Sequence, residues 1–263
     1  MARHPITDEQ LLRYARNVAL DEIGEEGQAR LLAARVLVVG AGGLGSPVLL
    51  YLAAAGVGTL TVVDDDRVDL TNLQRQIAHT TARVGQAKAE SAAAAVSAIN
   101  PEIRVIPRNL RLTAENALDL VRGNDAVADG SDNFATRFLL NDACHLLRVP
   151  LISAAVARFE GQISTFKPWL GGPCYRCLWP EPPPEDLIPR CEQAGILGAI
   201  AGVMGTLQAT EILKELLGLD DTLSGTLLMY DALAAHTQRI AVPKNPGCAL
   251  CGENPRIASP QAR

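Results

Sequence analysis

No run of apolar residues in this sequence reaches the roughly 20 needed to cross a bilayer. The longest, residues 196–210, ends at Glu211. The N-terminus, MARHPITDEQLLRYAR, carries charges throughout and no apolar stretch, so it does not read as a secretory leader. Net charge is only −5 and no basic tract is present, which leaves no electrostatic footprint for nucleic acid or anionic lipid. No low-complexity segment interrupts a composition that is 48% hydrophobic and 20% charged, so the chain is neither disordered nor fibrous. None of the four histidines stands at metal-ligand spacing; His145 and His236 read as structural. A cytoplasmic protein is expected, and its 263 residues suit one α/β unit spanning 1–263.

Six cysteines are present, four of them in two pairs, Cys174-x-x-Cys177 and Cys248-x-x-Cys251, separated by 70 residues. In a reducing compartment this spacing points to a tetrahedral zinc site, because a tight turn with two intervening residues lets both thiolates face one metal. Glycine and proline before each pair (171–173 and 246–247) supply the turns. Four thiolates leave no position for a catalytic water, so such zinc is structural. A redox pair or two unrelated surface pairs is the alternative reading. Cys144 fits a buried apolar thiol, and Cys191 stands alone in a proline-rich loop, residues 179–195.

Hydrophobic periodicity alternates between strand and helix. Strands are expected at 35–40, 59–64, 103–109, 125–132 and from 150, with helices at 46–56, 85–100, 113–122 and 133–148. Such alternation predicts a doubly wound, Rossmann-like, mostly parallel sheet with ligands at the carboxyl ends of its strands. Segments 160–168, 227–232 and 237–243 read as antiparallel additions around a long helix, 196–217. This divides the chain into N-terminal helices (6–33), a nucleotide-binding half (34–156), a second half (157–252) holding the cysteine pairs, and a tail (253–263).

Gly40, Gly42 and Gly45 form G-x-G-x-x-G between a strand and a helix, where backbone amides and a helix N-terminus can approach a phosphate. Asp64 follows Gly45 by 19 residues, at the end of the second strand, where a carboxylate can accept ribose hydroxyls. These features alone do not separate NAD, FAD, S-adenosylmethionine and ATP. Asn72, Arg75, Lys88 and Asp132 belong on the same strand edge. Two cations and an acid beside the phosphates suit a triphosphate with magnesium, whereas hydride transfer needs no metal there. Singly, each charge could be a solvated surface group, and Asp132 a helix cap.

Together the segments VLVVGAGGLGSPV, DDDRVDLTNLQRQ, VGQAKAESA, DGSDNFATRFLLNDAC, CYRCL, GVMGTLQATEILK and NPGCALCG resemble the ThiF/MoeB/HesA adenylyltransferases, the bacterial relatives of ubiquitin-activating enzymes. The pattern, over about residues 6–252, is most similar to the molybdopterin-synthase adenylyltransferases. The resemblance implies that the C-terminal Gly-Gly carboxylate of a ubiquitin-like sulfur-carrier protein attacks the α-phosphate of ATP. Asp64 would then hold the ribose, and Gly40, Gly42, Gly43 and Gly45 would pack against the nucleotide. Asn72, Arg75, Gln76 and Lys88 would contact the phosphates, and Asp132, beside Asn133, would bind magnesium. The half 157–252 would receive the carrier and hold structural zinc.

The resemblance further implies a homodimer in which Arg16 reaches the neighbouring subunit's triphosphate. Small residues on one helix face, Gly198, Gly202 and Gly205, suit a dimer contact, although a monomer core accepts the same pattern. Cys191 matches a loop cysteine that takes part in sulfur transfer in some relatives; a loop cysteine without a role is the alternative. Only 12 residues follow Cys251, so a separate sulfur donor is expected. Two other readings remain: a catalytically silent zinc-stabilised scaffold that binds a ubiquitin-like partner, and an NAD-dependent oxidoreductase, which would have no use for Lys88 or Asp132.

Overall fold

Short strands of four to seven residues, mostly apolar and all but the last followed by helical segments, build the parallel half of a single sheet. The computed structural model describes residues 6–182 and 195–262. The strands are β1 (Arg35–Val39), β2 (Thr59–Val63), β3 (Arg104–Arg108), β4 (Ala126–Asp129) and β5 (Leu151–Ala157). They lie in the order β3-β2-β1-β4-β5, all parallel. Side chains alternate across a strand. Val36 and Val38 therefore enter one core with α4 (Gly45–Ala55), α5 (Lys88–Ile99) and α9 (Gly198–Leu217), while Leu37 and Val39 enter the other with α6 (Ala117–Val121) and α7 (Phe134–Leu147). With helices on both faces, β1 is apolar at every position but its first, as a buried parallel strand must be.

Beyond β5 the sheet continues through β6 (Glu160–Phe166), β7 (Thr226–Asp231) and β8 (His236–Ala241), each antiparallel to its neighbour, giving eight strands. The doubly wound sheet with antiparallel additions is thus present as expected. At its first border, Arg104 donates to Gly58 and Arg108 accepts from Asp64, so Val105 and Pro107 turn their backbone groups outward. At its other border, all six residues of β8 are exposed.

Three boundaries differ from the periodicity, each for a local reason. The strand expected over 125–132 stops at Asp129, whose carboxylate accepts from the N–H and hydroxyl of Ser131 and turns the chain. The helix expected from 85 begins at Lys88, because Gly85 and Gln86 pair with the backbone of Val68 instead. The helix expected from 196 begins at Gly198, since Leu197 donates to Arg158 in the β5–β6 hairpin.

The small face of α9 follows the monomer-core alternative at two of its three glycines. A side chain at Gly205 would strike Pro47 and the carbonyl of Leu44, and one at Gly198 would strike Gln74. Those glycines serve packing inside the chain, so they give no support to a subunit contact; Gly202 faces open space.

Three short helices precede β1: α1 (Asp8–Arg13), closed by a capping box from Thr7 and Gln10, α2 (Ala15–Val18) and α3 (Gly24–Ala33). Tyr14 is buried where Asn100 donates both to its hydroxyl and to the carbonyl of Ala53, near the C-terminal end of α4.

The turn between β1 and α4 tolerates only glycine at two places. Gly40 has φ +92°, and a Cβ there would lie 2.7 Å from the Gly130 carbonyl oxygen. A Cβ on Gly45 would overlap the carbonyl of Gly40, which is backbone and cannot swing away. Gly45→Ala is expected to destabilise the protein by about 3 kcal/mol or more. A denaturant titration showing a loss under about 1 kcal/mol would mean the turn is looser than this.

Candidate functional site

The glycine turn, the end of β2 and the end of β4 meet at one sheet edge, the carboxyl edge of the parallel strands. Gly40 donates to Val63 at 2.8 Å. Asp64 accepts the Ala41 N–H on Oδ2 at 2.7 Å and the Asp66 N–H on Oδ1 at 2.8 Å. Burial pushes its carboxyl above the ordinary range, opposed by those two hydrogen bonds and by Lys88. Each oxygen keeps a lone pair, so Asp64 shapes the turn and can still accept hydroxyls. The acidic run 64–66 is resolved by geometry: Asp64 grips the turn, Asp65 is exposed, and Asp66 pairs with Lys88 at 2.8 Å.

Lys88 is the first residue of α5, and its side chain is only 7% exposed. A cation there opposes the positive end of the helix dipole, and burial adds a desolvation cost. Among the described residues its direct partner is the exposed carboxylate of Asp66, with the charge of Asp64 nearby.

The loop after β2 folds over the turn. Asp69 caps a short 3-10 turn, Leu70–Asn72, through Thr71, and the Asn72 carbonyl accepts from Arg75 and Gln76. A Cβ on Gly43 would lie 3.4 Å from the Arg75 side chain, and one on Gly42 would lie 3.6 Å from Nε2 of Gln76. Arg75 and Gln76 therefore sit against the glycine turn. Gln76 is buried, and its Oε1 has no hydrogen-bond partner among the described residues.

Asp132 is exposed two residues beyond Gly130, which touches Gly40. The helix cap is Asn133, which accepts from Thr136 at 2.9 Å, so Asp132 is not spent on capping. Asn133 also approaches Asp132 at 3.4 Å. Beneath them is a cluster that the sequence reading passed over. Asp129 is fully buried; it accepts from Ser131 and from the Ser153 hydroxyl at 2.6 Å, and Arg137 lies 4.0 Å away. Gln208 of α9 donates to the carbonyls of Asp129 and Ile152. The available signal was a carboxylate closing the short apolar run 126–128 in DAVADGSD.

Arg16 is exposed on α2 and is not brought to this turn. Its neighbours fix its place: Asn17 bonds Gln28, which donates to Ala55 at the last residue of α4. The 11 residues of α4 put about 16 Å between that end and the glycine turn. Cys191 lies outside the described residues, as does most of its loop.

The four paired cysteines do converge. Their sulfurs lie within 4.8 Å of one another, with 3.9 Å between Cys174 and Cys177, 3.6 Å between Cys174 and Cys248, and 3.4 Å between Cys177 and Cys251. A tetrahedron of sulfurs about 2.3 Å from zinc has edges of roughly 3.8 Å, so the cluster fits that metal. Hydrogen bonding from Cys174 draws the Cys177 thiol down to about 6. The first pair sits at a short helix, α8 (Tyr175–Leu178), rather than a bare turn. Between its cysteines, Arg176 forms two 2.8 Å bonds to buried Asp142 of α7 and stacks on Phe138. The tail folds back onto this pair: Gln261 donates to Asp142 at 3.0 Å and accepts from Arg176 at 3.1 Å.

Among the described residues, no helix is long and apolar enough to cross a membrane. The ThiF family profile matches residues 14–250. The chain is 51% identical over 253 residues to the sulfur carrier protein adenylyltransferase of Thermus thermophilus, covering 95% of this chain and 93% of that protein. It is 50% identical over 244 residues to the SAMP-activating enzyme E1 of Haloferax volcanii, covering 93% and 90%. A crystal structure of Escherichia coli MccB with AMPCPP and selenomethionyl MccA shares the fold, with a TM-score of 0.80 at 22% identity over 94% of this chain and 75% of that one.

Proposed function

The chain belongs to the ThiF family, and from that premise we propose that it is an adenylyltransferase that activates the C-terminal carboxylate of a ubiquitin-like sulfur-carrier protein with ATP. The observation that carries this reading is the convergence at one strand edge of the glycine turn, Asp64, Arg75, Gln76 and the buried Lys88. An NAD enzyme would have no use for a buried ammonium there.

In the reaction, a carboxylate oxygen of the carrier's terminal glycine forms a bond to the α-phosphorus as the bond to the bridging oxygen breaks. The products are the acyl adenylate and pyrophosphate. Asp64 accepts the ribose hydroxyls, the turn 40–45 lies along the nucleotide, and Asn72, Arg75 and Lys88 neutralise charge on the α-phosphate and the departing pyrophosphate. Catalysis is by positioning and electrostatics, with no protein nucleophile. Asp132 is exposed and free of capping duty, which suits it to hold magnesium as a hard oxygen ligand. Magnesium bound there adds charge neutralisation at the phosphates. Cys174, Cys177, Cys248 and Cys251 hold structural zinc, and the carrier docks on the same half of the chain.

The finer reading is a cytoplasmic homodimer serving molybdopterin synthesis, or a related thiamin-type sulfur transfer, with a separate sulfur donor. The test of the activity is ATP–pyrophosphate exchange with a panel of carriers ending in Gly-Gly and with forms lacking the last glycine. Exchange with one intact carrier and not its truncation is expected; silence across the panel from a protein that binds ATP would favour the scaffold reading.

Arg16 supplies the test of the dimer. Its position at the far end of α4 keeps it from its own chain's turn, so in this reading its contribution comes from a second subunit. Arg16→Ala and Lys88→Ala are each expected to be weak alone. Mixed and allowed to exchange subunits, they should recover about a quarter of wild-type exchange, because random pairing leaves one complete site in half of the dimers. No recovery in demonstrated heterodimers would remove Arg16 from the site.

A further inference from the structure

His79 is 6% exposed and both ring nitrogens are engaged. Nε2 lies 2.8 Å from the carbonyl oxygen of Ala41, and Nδ1 lies 2.9 Å from the hydroxyl of Ser91. A carbonyl can only accept, so Nε2 carries the proton and Nδ1 accepts from Ser91 in the neutral ring. Burial holds the imidazole below its usual range, which favours this neutral form.

The identity of the two partners distinguishes this histidine from one that only satisfies the core. Ala41 stands between Gly40 and Gly42 and is fully buried. Its N–H is taken by Asp64 at 2.7 Å, so both polar groups of one turn residue are gripped by side chains from other segments. Ser91 is also fully buried, three residues after Lys88 in the first turn of α5. Arg83 donates to its carbonyl at 2.8 Å, closing the loop that carries His79 onto the same helix. The ring thus spans the gap between the element that receives the nucleotide and the element that carries the phosphate-facing ammonium.

We infer that His79 is a positioning residue for the nucleotide: its ring sets the distance between the glycine turn at Ala41 and the N-terminal turn of α5 that holds Lys88. This rests on the ATP reading above. A turn released from the ring shifts relative to Lys88, and ATP is held by one element at a time.

The test exploits reach. Nε2 of a glutamine at this position falls near the ring Nε2 and can donate to Ala41, whereas the amide of an asparagine stops near Nδ1 and cannot. ATP affinity is measured by calorimetry with magnesium on the folded variants, alongside the melting temperature and carrier-dependent exchange. His79→Gln is expected to bind ATP within about threefold of wild type, and His79→Asn about tenfold more weakly or worse, with kcat/KM for ATP falling in parallel. Equal affinity in the two variants, whatever their melting temperatures, would overturn the proposal and leave His79 a packing residue. Should the asparagine variant not fold, Ser91→Ala carries the test. It frees the ring to rotate and is expected to weaken ATP about threefold, and an unchanged affinity overturns the proposal. Wild-type protein that binds no ATP would remove both this inference and the adenylation reading. Wild-type ATP binding with equal variants removes this inference alone.

Discussion

Lys88→Ala should lose about 100- to 1,000-fold in carrier-dependent ATP–pyrophosphate exchange, the usual effect of removing one preorganised charge from developing negative charge, while melting no lower than the wild type. The second half of that expectation follows from how Lys88 is held. Removing one member of a fully buried ion pair strands a charge and costs about 3 to 5 kcal/mol. Here the partner, Asp66, has a side chain that is 68% exposed, so its carboxylate stays solvated when the ammonium leaves. Alanine also relieves a buried cation at the positive end of α5 and has the best helix propensity. A variant stable yet inactive would match the exchange of stability for function found at catalytic positions. Exchange above one-tenth of wild type would take Lys88 out of the reaction; a large drop in melting temperature would make it a structural residue. Arg75→Ala and Asp132→Ala, measured beside it, should lose comparable activity.

Stripping zinc, or replacing Cys248 with serine, should release one metal per chain and loosen residues 174–178 and 245–257 without unfolding the nucleotide half. Structural zinc contributes roughly 10 to 16 kcal/mol in small zinc-folded peptides, so the local effect is large. Here the knuckle has a second attachment. Arg176 is bound through both carboxylate oxygens of Asp142, Tyr175 donates to Asn141 at 2.8 Å, and the tail closes over the pair. α7 therefore keeps hold of the first cysteine pair after the metal has gone. Hydrogen exchange is expected to rise by orders of magnitude around both pairs and to stay unchanged in β1, α4 and β4. Global unfolding on chelation would mean that the metal, rather than α7, anchors this half. If the stripped protein kept ATP affinity but lost exchange, the knuckle would have a part in receiving the carrier.

The fold was legible because the chain alternates periods cleanly, and because β1 and β4 are apolar at all but one position each, which only a strand covered on both faces can be. Boundaries were less legible, since they depend on partners distant in sequence. Nothing local to Ala87 announces that residues 85–87 will pair with 67–68 and delay α5 to Lys88. Within the site, the groups expected to face the phosphates were readable from residue type and spacing. The groups that hold them were not. Asp129, Gln208 and His79 act through backbone carbonyls and serines on other elements, and no spacing rule reports a bond such as Gln208 to Asp129, 79 positions apart. The glycine pattern of α9 was ambiguous for the same reason: close packing looks alike whether the neighbour is Pro47 or a second chain.

The two borders of the sheet are unequal. At β3 the outward-facing backbone includes Pro107, which has no N–H to offer, and charged Arg104 and Arg108 flank it. At β8 a full set of donors and acceptors is presented on an exposed strand. An incoming strand can therefore lengthen this sheet from one side only. Two copies that met through β8 would each end at a proline-blocked border, so growth along the ladder stops at a pair and never runs on into a fibre.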